Sequence, residues 1–542
     1  MKIHNRPLSG TPLATAWLNG SPEALALFSR DPSSIESYLA KAEEVDARIG
    51  KQERLLAASC LVGGGDDARK RIDEFIEGRG FMVTTGQQPG LFGGPLYGLY
   101  KGLTAAALAR RLEGVLERPV IPVFWIASDD HDWDEVRGTH VIDVANDLHE
   151  VSLPPGEPGV DRPLYQIPAG QEIMGALELF CSFMPDTEFL PRWRNLLAKS
   201  YRPDRTLAEA FQDVLEILLG PAGVFLVQAH HQDLKARALP ILLRELRESE
   251  DREAALRMNG ASIEGAGFEL QVPLIADATN VFIQGEVRRE RVFRDGSSFR
   301  LRGSDRRLSL ADVEALGSDN PSRLSPNVLL RPVIESSLLP TLSYVAGPGE
   351  AAYLPQTAPV FAGHGIEMPV VHPRVSLAVV EGKIDKVLGK FHLAIDDLSE
   401  AHQEIAGRLV RERIPSDVQS GLERLRKVVS ENTDLLLDSV SRIDSTLSGP
   451  VKAFRRHSFG LLADVEKKVV QSLKRENHVA LAQVAKAQLH LFPGGQPQER
   501  VLNPFYYLVR YDWAFLEALR DHADRAVLPL SMNPRAPKGV EW

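Results

Sequence analysis

The stretch that decides the fold is FMVTTGQQPGLFGGPLYGLYKGLTAAALARRLEGVLERPVIPVFWIA, residues 81–127. It opens with a β-prone run that ends at Gly86, and a glycine-rich loop follows. Pro95 suits the first turn of a helix, and Gly114 suits the end of that helix. Residues 120–127 are apolar without alternation, which is typical of a strand buried on both faces of a parallel sheet. Together these features predict a βαβ unit and an α/β fold.

The pattern continues through the middle of the chain. It predicts a helix over Thr206–Leu219, a buried strand over 223–227 and a helix over Asp233–Leu246 with Asp233 as its N-cap. Residues 265–303 alternate and contain turn formers, which predicts antiparallel strands and hairpins. At most a short helix is expected over Ala311–Leu316.

Residues 376–487 carry a different pattern, with apolar side chains in steps of three and four over several heptads. We expect three helices of about 30 residues each, roughly 45 Å long. The first covers Leu377–Leu409, the second covers Val418–Leu447 and ends at Gly449-Pro450, and the third covers Val451–Ala487. They form either an internal antiparallel hairpin or an arm that makes a homodimer, and we favour the arm.

The predicted organisation follows from these changes of pattern. A Rossmann-like parallel-sheet core with N-terminal helices and inserted connecting segments spans 1–375, and a helical coiled coil spans 376–487. A polar, glycine-rich segment over 488–542 returns the chain to the core.

Composition narrows the function classes. The 542 residues include 63 Lys and Arg against 73 Asp and Glu, with no long cationic run, which argues against partners such as nucleic acid or a membrane surface. No signal-peptide core or membrane-length apolar run is present, so we expect a cytoplasmic protein. Two distant cysteines, Cys60 and Cys181, are expected to be reduced thiols rather than a disulfide. They exclude a zinc site built on cysteines, and we assign no metal site.

The glycine loop is the first candidate binding segment. Small residues before a helix N-terminus let backbone N–H groups approach an anion, and a lysine farther along the helix could add a positive charge. The dinucleotide and Walker patterns are absent, so a purely structural turn is the alternative. The candidate substrate- or nucleotide-binding residues here are Gly86, Gln87, Gln88, Gly90, Gly93, Pro95, Tyr97 and Lys101.

The second candidate is SDDHDWDE at 128–135, directly after the most buried strand. Ligands of open α/β sheets bind at the carboxyl ends of strands. The segment could hold a divalent ion, or orient a polar substrate and move a proton, or be a solvated acidic loop. We assign catalytic roles to Asp130, His131 and Asp132, and a binding role to Asp129.

Further binding residues are expected in two later segments. A strand, a glycine loop and a helix start recur around YVAGPGEAAY at 344–353, preceded by NVLLRP at 327–332. We expect this loop, the glycine loop and the acidic loop to converge on one cleft at the sheet edge. The candidates are Arg331, Gly347, Gly349, Glu350 and Tyr353, with Arg500 and Asn503 from the C-terminal segment.

Taken together, these segments resemble the bacillithiol biosynthesis cysteine-adding enzymes. The resemblance rests on TTGQQPGLFGGPLYGLYK at 84–101, PVFWIASDDHDWDEV at 122–136, LLRPVIESSLLPTLSYVAGPGEAAY at 329–353, GIEMPVVHPR at 365–374 and LFPGGQPQERVLNPF at 491–505. Its order and spacing cover nearly the whole chain. One departure is Asp129, which stands where the family usually has Glu and keeps the charge on a shorter side chain.

The resemblance implies a Rossmann-like core, a C-terminal coiled coil that makes a homodimer, and a ligase activity. The expected reaction joins cysteine, through an amide bond, to the glucosamine nitrogen of glucosaminyl-malate. Amide formation from a free carboxylate is uphill, so the carboxylate must be activated, usually by ATP. No complete phosphate-binding motif is present, so ATP or ADP is left open as a cofactor.

Two other functions remain open at this stage. One is a nucleotidyltransferase-like enzyme that adenylates another small acid. The other is a non-catalytic coiled-coil scaffold that senses a metabolite, although a dense acid–histidine loop beside a glycine loop is more than a scaffold needs.

Overall fold

A computed structural model describes residues 1–157, 161–285, 288–302, 307–411, 413–527 and 529–531. They divide into two compact units. The larger contains Ile3–Ala378 and the described residues from Glu499 onward, and the smaller contains Met1–Lys2 and Val379–Gln498.

The strands, in chain order, are β1 Lys2–Asn5, β2 Val62–Gly63, β3 Phe81–Gln87, β4 Val120–Ile126, β5 Gly138–Ile142, β6 Leu148–Ser152, β7 Phe225–Gln228, β8 Ala278–Gln284, β9 Arg289–Asp295, β10 Ser298–Leu301, β11 Arg307–Leu308, β12 Leu324–Pro326, β13 Thr341–Ala346, β14 Val370–Pro373 and β15 Leu377–Val380.

The α-helices are α1 Pro12–Leu18, α2 Pro22–Leu25, α3 Ile35–Arg48, α4 Lys51–Ala58, α5 Ala68–Glu77, α6 Leu96–Leu116, α7 Trp133–Val136, α8 Glu172–Ser182, α9 Leu190–Ser200, α10 Leu207–Leu219, α11 Gln232–Arg247, α12 Ser249–Gly265, α13 Leu310–Asp319, α14 Arg331–Leu338, α15 Pro348–Tyr353, α16 Ala358–Gly363, α17 Gly382–Phe391, α18 His402–Arg411, α19 Ser416–Ser441, α20 Ser448–Glu476, α21 His478–Leu491, α22 Gln498–Val501, α23 Phe505–Tyr511 and α24 Trp513–Ala526.

The core of the larger unit is a six-stranded sheet with the order β14-β13-β3-β4-β7-β2. Neighbouring strands from β14 to β7 run parallel, and only β2 pairs antiparallel, with β7. Every residue of β4 is buried, as its unbroken apolar sequence requires. The predicted α/β fold with a Rossmann-like parallel sheet is confirmed.

The strand order reverses beside β3. From β3 the chain proceeds to β4 and β7 on one side, and it later returns to place β13 and β14 on the other. The loops that follow β3 and β13 therefore leave the same sheet edge at the reversal point. In open α/β sheets this is where ligands bind.

A second sheet, with the order β11-β10-β9-β8-β12, is antiparallel between its neighbouring strands. Its hairpins confirm the antiparallel prediction for 265–303. The following helix, α13, is longer than predicted at both ends: Ser309 and Asp312 form a capping box that starts it at Leu310, and it continues to Asp319.

Two helix boundaries in the core differ from the prediction. Helix α6 continues past Gly114 and ends with Glu117 in the left-handed region, at φ 50°. Its last turn is anchored because Glu113 pairs with Arg71 at 2.5 Å and accepts the Val120 N–H at 3.2 Å. Helix α11 is capped by His231, so Asp233 lies in its first turn rather than at the N-cap.

In the smaller unit, the predicted first helix over Leu377–Leu409 is wrong. The segment contains strand β15, helix α17, a 3-10 turn and helix α18. Each of these elements buries apolar side chains, so apolar residues continue in steps of three and four across the element boundaries. The sequence LAVV of β15 is wholly buried, and His392 ends α17 in the left-handed region.

The second and third helices of the smaller unit form an antiparallel pair, α19 and α20. Arg426 of α19 pairs with Glu466 of α20, and Asp434 pairs with Arg455, both at 2.6 Å. Pro450 lies in the first turn of α20 instead of ending α19, a position at which proline costs no helical hydrogen bond. The third predicted helix is divided at Asn477 into α20 and α21.

Both cysteines are free and buried, which confirms the prediction of two reduced thiols. Within the described part of the chain, no helix is long and apolar enough to cross a membrane.

Candidate functional site

A cavity of about 520 Å³ lies at the carboxyl ends of β3 and β13 in the larger unit. Its volume is in the range of small-molecule sites. The glycine loop, the acidic loop and the loop after β13 all contribute to it. The predicted residues among its walls are Gly86, Gln87, Gln88, Tyr97, Lys101, Asp129, Asp130, His131, Arg331, Gly347, Gly349, Glu350, Tyr353 and Arg500.

The two glutamines after β3 connect the glycine loop to the acidic loop. The amide nitrogen of Gln87 donates to the Tyr97 hydroxyl at 2.9 Å. That of Gln88 donates to Asp130 Oδ2 at 2.8 Å and to Glu135 Oε2 at 2.7 Å. Gln88 thereby holds two carboxylates of the acidic loop at the cavity wall.

Asp130 and His131, neighbours in the acidic loop, are joined by two contacts. Asp130 Oδ1 accepts the His131 backbone N–H at 2.7 Å and lies 3.2 Å from His131 Nδ1. Burial raises the pKa of Asp130, but hydrogen bonds from His131 and Gln88 and the charge of Arg289 outweigh it and leave the pKa well below its usual value. Asp130 is therefore ionised at neutral pH and can only accept a hydrogen bond, while Arg289 Nη1, a donor, lies 3.5 Å from the same His131 Nδ1.

Glu135 differs from Asp130 in the direction in which its surroundings shift its pKa. Burial raises the pKa of Glu135 above its usual value, and the negative charges of Asp132 and Asp130 add to that effect. The cavity wall thus carries two carboxylates whose surroundings move their pKa values in opposite directions. Such separation is common where carboxyl groups share acid and base roles.

Asp129 is held by a buried ion pair. Its Oδ2 lies 2.8 Å from Nζ of Lys235 on α11, and both side chains are largely buried. Burial raises the pKa of Asp129, but Lys235 and Arg289 lower it to a net value below the usual one. Asp129 therefore ties the acidic loop to α11 as a fixed anion.

A second buried pair joins β3 to the loop after β13. Lys101 Nζ lies 2.6 Å from Glu350 Oε2 and donates to the Gly86 carbonyl at 2.8 Å. Glu350 also accepts the Tyr344 hydroxyl at 2.5 Å and the Gly347 N–H at 2.7 Å. Lys101 is only 3% exposed, so its charge is already neutralised and is not the free cation expected from the sequence.

The side chain of Arg331 is also bonded to other residues of the protein. It pairs with Glu335 at 2.7 Å and donates to the hydroxyls of Tyr344 and Tyr353 at 3.3 Å. Its main effect is to position the two tyrosines of the cavity wall.

Two other arginines of the cavity wall, Arg291 and Arg500, differ from Arg331 in this respect. Within the described residues, neither the Arg291 nor the Arg500 side chain forms a hydrogen bond or an ion pair, and the Arg291 guanidinium lies 5.1 Å from the Phe282 ring. Burial lowers the pKa of Arg291, and the positive charges of Arg289 and Arg302 lower it further. A bound anion would offset the repulsion between these positively charged side chains.

Five predicted site residues do not line the cavity. Asp132 caps the short helix α7 by accepting the Glu135 N–H at 3.1 Å. Asn503 is wholly buried and donates to the carbonyls of Phe92 and Gly94 and to the Thr139 hydroxyl. Gly90, Gly93 and Pro95 form the buried turn between β3 and α6.

Two of the N–H groups at the start of α6, where an anion was expected, are bonded within the protein. The Leu96 N–H donates to the Leu502 carbonyl at 3.0 Å, and the Gly93 N–H donates to the Tyr201 hydroxyl at 2.9 Å. Gly93 needs its glycine because φ is +86° and an added Cβ would lie 3.3 Å from Val214 Cγ1. This part of the loop packs in the core, and only 86–88 reach the cavity.

Sequence reasoning missed several cavity residues. The most informative are Arg289 and Arg291, which lie two residues apart on β9 and both line the cavity. Their alternation within RRERVFR at 288–294 was the available signal, since residues two apart share a face of a strand. Glu135 and Arg374 also line the cavity and were not assigned.

Comparison with known proteins relates this chain to one family over both of its domains. Residues 1–375 match the model described as "Bacillithiol biosynthesis BshC, N-terminal Rossmann-like domain". Residues 377–527 match "Bacillithiol biosynthesis BshC, C-terminal coiled-coil domain".

Curated relatives agree with the family models. A protein of Salinibacter ruber is 33% identical over 85% of this chain and 84% of its own length. One of Heliobacterium modesticaldum is 32% identical over 87% and 86%, and one of Chlorobium phaeobacteroides is 30% identical over 89% and 88%. Each is named "Putative cysteine ligase BshC". The chain described here belongs to the bacillithiol biosynthesis BshC family.

Proposed function

We propose that this protein is the ligase that completes bacillithiol synthesis, joining the carboxyl group of cysteine to the glucosamine nitrogen of glucosaminyl-malate. Family membership and the names of the relatives support a cysteine ligase. The amide bond and the identity of the acceptor are the parts that we add.

The single observation that carries the proposal is the mixed charge of the cavity. Glucosaminyl-malate has two carboxylates and one ammonium group, so a site for it needs cations and anions together. Arg291 and Arg500 line the same cavity as Asp130 and Glu135. We assign the malate carboxylates to the arginines, because guanidinium groups bind carboxylates in a bidentate manner. We assign the ammonium to the acidic loop.

His131 is the proposed base. When the ionised Asp130 carboxylate accepts a hydrogen bond from Nδ1–H of His131, Nε2 is left with the lone pair. Nε2 accepts a proton from the glucosamine ammonium and so frees the amine. The amine nitrogen then forms a bond to the activated cysteine carbonyl carbon, the leaving group departs with its bonding electrons, and the nitrogen gives its second proton to water or to the departing phosphate.

Cysteine must reach the site with an activated carboxyl group. A carboxylate and an ammonium give an amide and one water, and in the proposed reaction that oxygen leaves on a phosphate-bearing group derived from ATP. We propose ATP on these chemical grounds. We do not assign its phosphates to the N-terminus of α6, because the Leu96 and Gly93 N–H groups there are bonded within the protein.

The test is product formation by the purified protein from cysteine, glucosaminyl-malate and ATP, followed by mass spectrometry. We expect the mass of bacillithiol only when all three compounds are present. Cleavage of ATP with cysteine alone and no product with the aminosugar would instead support an adenylating enzyme. If calorimetry shows no heat that depends on cysteine and no product forms, the result would support the sensing scaffold. Either result would overturn the proposal.

A further inference from the structure

Three metal-ligating side chains from distant parts of the sequence meet outside the cavity. Cys60 lies between α4 and β2, while His231 and Asp233 lie at the beginning of α11. One ligand atom from each, the Cys60 sulfur, a ring nitrogen of His231 and a carboxylate oxygen of Asp233, all lie within 4.8 Å of one another. We propose that these residues bind one zinc-like divalent transition-metal ion.

The state of His231 supports this assignment. Its Nδ1 is buried and has no hydrogen-bond partner among the described residues. Most buried polar side-chain atoms are paired, so an unpaired ring nitrogen beside a thiol and a carboxylate requires an explanation. A metal ion bound at Nδ1 supplies the missing partner.

Cys60 is also available as a ligand. Only 3% of the residue is exposed, and its sulfur makes a long contact of 3.4 Å to the Leu56 carbonyl. Burial raises the pKa of this thiol, and the positive charge of Arg237 acts in the opposite direction. Metal binding displaces the thiol proton, so a bound ion would hold the sulfur as a thiolate in spite of the raised pKa.

The donor set selects the class of metal. Thiolate sulfur, imidazole nitrogen and one carboxylate oxygen suit zinc and its borderline neighbours, whereas magnesium and calcium prefer oxygen ligands alone. Within the described residues the group has three members, so water would complete a tetrahedron. Asp233 is exposed, which gives the ion a route from solvent.

The position of the cluster indicates what the ion would do. It would join the 59–63 turn to the first turn of α11. The same helix carries Lys235, which holds Asp129 at 2.8 Å. The ion would therefore stabilise the larger unit and fix the helix that supports the acidic loop, without entering the cavity.

Metal binding by the full-length protein tests this inference independently of ligase activity. The protein is stripped with a chelator under reducing conditions and titrated with Co²⁺ alone and with Zn²⁺ alone. We expect one ion per chain, a thiolate-to-cobalt charge-transfer band, and a higher melting temperature with Zn²⁺, because a ligand that binds only the folded state stabilises it.

Variants separate this site from adventitious binding. Cys60→Ser should abolish the charge-transfer band, whereas Cys181→Ser, which changes the other buried cysteine, should keep it. Asp233→Asn changes an exposed residue and should leave the fold intact while weakening affinity by at least about 10-fold. Glu250→Gln, an exposed acid on α12, should have no effect.

No cobalt–thiolate band in the wild type would overturn the proposal. So would a band that survives Cys60→Ser, or equal zinc stabilisation of the wild type and Asp233→Asn.

Discussion

Asp130 Oδ1 lies 3.2 Å from Nδ1 of His131 and also accepts the backbone N–H of that residue at 2.7 Å. One carboxylate thus fixes both the backbone and the ring of the proposed base. The relationship resembles the general arrangement in which a carboxylate orients a catalytic imidazole.

The first prediction concerns this pair. His131→Gln should lower kcat by about 10²–10⁴-fold, the usual contribution of a general base, with little change in melting temperature because the side chain is partly exposed. Asp130→Asn should lower kcat as well, since an amide can donate to Nδ1 and favour the wrong tautomer. Steady-state kinetics and thermal unfolding of both variants check this. Wild-type turnover in His131→Gln would contradict the assignment.

Arg291 carries the second prediction. Arg291→Met should raise KM for glucosaminyl-malate by roughly 10–100-fold, as expected for loss of a charged hydrogen bond. The value of kcat should change little if this arginine contributes uniform binding. The matched control is Arg300→Met, which changes an exposed arginine on the neighbouring strand β10. An unchanged KM in Arg291→Met would place the malate carboxylates elsewhere.

The third prediction is a pH dependence of stability. The folded-state pKa of Asp129 lies below its unfolded value of about 3.9. Its stabilising effect is therefore complete above the unfolded value and is lost as pH falls through the folded one. At neutral pH, Asp129→Asn should lower the free energy of unfolding by about 3–5 kcal/mol, because Lys235 stays buried without its partner.

Urea unfolding of the wild type and of Asp129→Asn at several pH values measures the difference in their free energies of unfolding. The difference in unfolding free energy between the wild type and Asp129→Asn should narrow as the pH falls below about 4, because the Asp129 carboxylate is protonated first in the unfolded chain. Asp134→Asn, at an exposed acid of the same loop, is the control. A difference that stays constant down to pH 3, or that is absent at pH 7, would contradict the account of this pair.

The fourth prediction is that the smaller unit makes a homodimer. Its helices α19 and α20 leave large apolar side chains exposed, an arrangement that favours association. These residues are Leu425, Val428, Leu435, Leu436, Phe454, Leu461 and Val465. Sedimentation of the wild type should give a mass of two chains, and Leu425→Glu with Leu436→Glu should give one. Leu179→Glu, at an exposed leucine of the larger unit, should leave the dimer intact.

Local sequence signals were sufficient for the parallel core. The apolar run of β4, the glycine loop and the helix after Pro95 each follow from rules that act within a few residues. The same spacing rule failed over Leu377–Leu409 because buried strands, short helices and turns can all place apolar residues three and four apart. Counting apolar residues in heptads does not detect where one of these elements ends and the next begins.

The candidate site was predictable only where the chain itself carries the signal. The acidic loop follows the most buried strand, so Asp130 and His131 could be identified from position alone. Gly93 and Asn503 look like loop residues in the sequence, yet contacts with distant segments bury both. Lys101 was expected to offer a positive charge to a ligand, but it pairs with Glu350, which lies about 250 residues away in the sequence.

The central claim is that the glucosamine nitrogen becomes the amide nitrogen of the product. Glucosaminyl-malate labelled with ¹⁵N at that nitrogen is incubated with cysteine, ATP and the purified protein, and the product is fragmented in a mass spectrometer. The account predicts the label in the bond between the cysteinyl and glucosamine fragments, with product formed at least about 100-fold more slowly by His131→Gln. No labelled amide, or equal product with the variant, would contradict it.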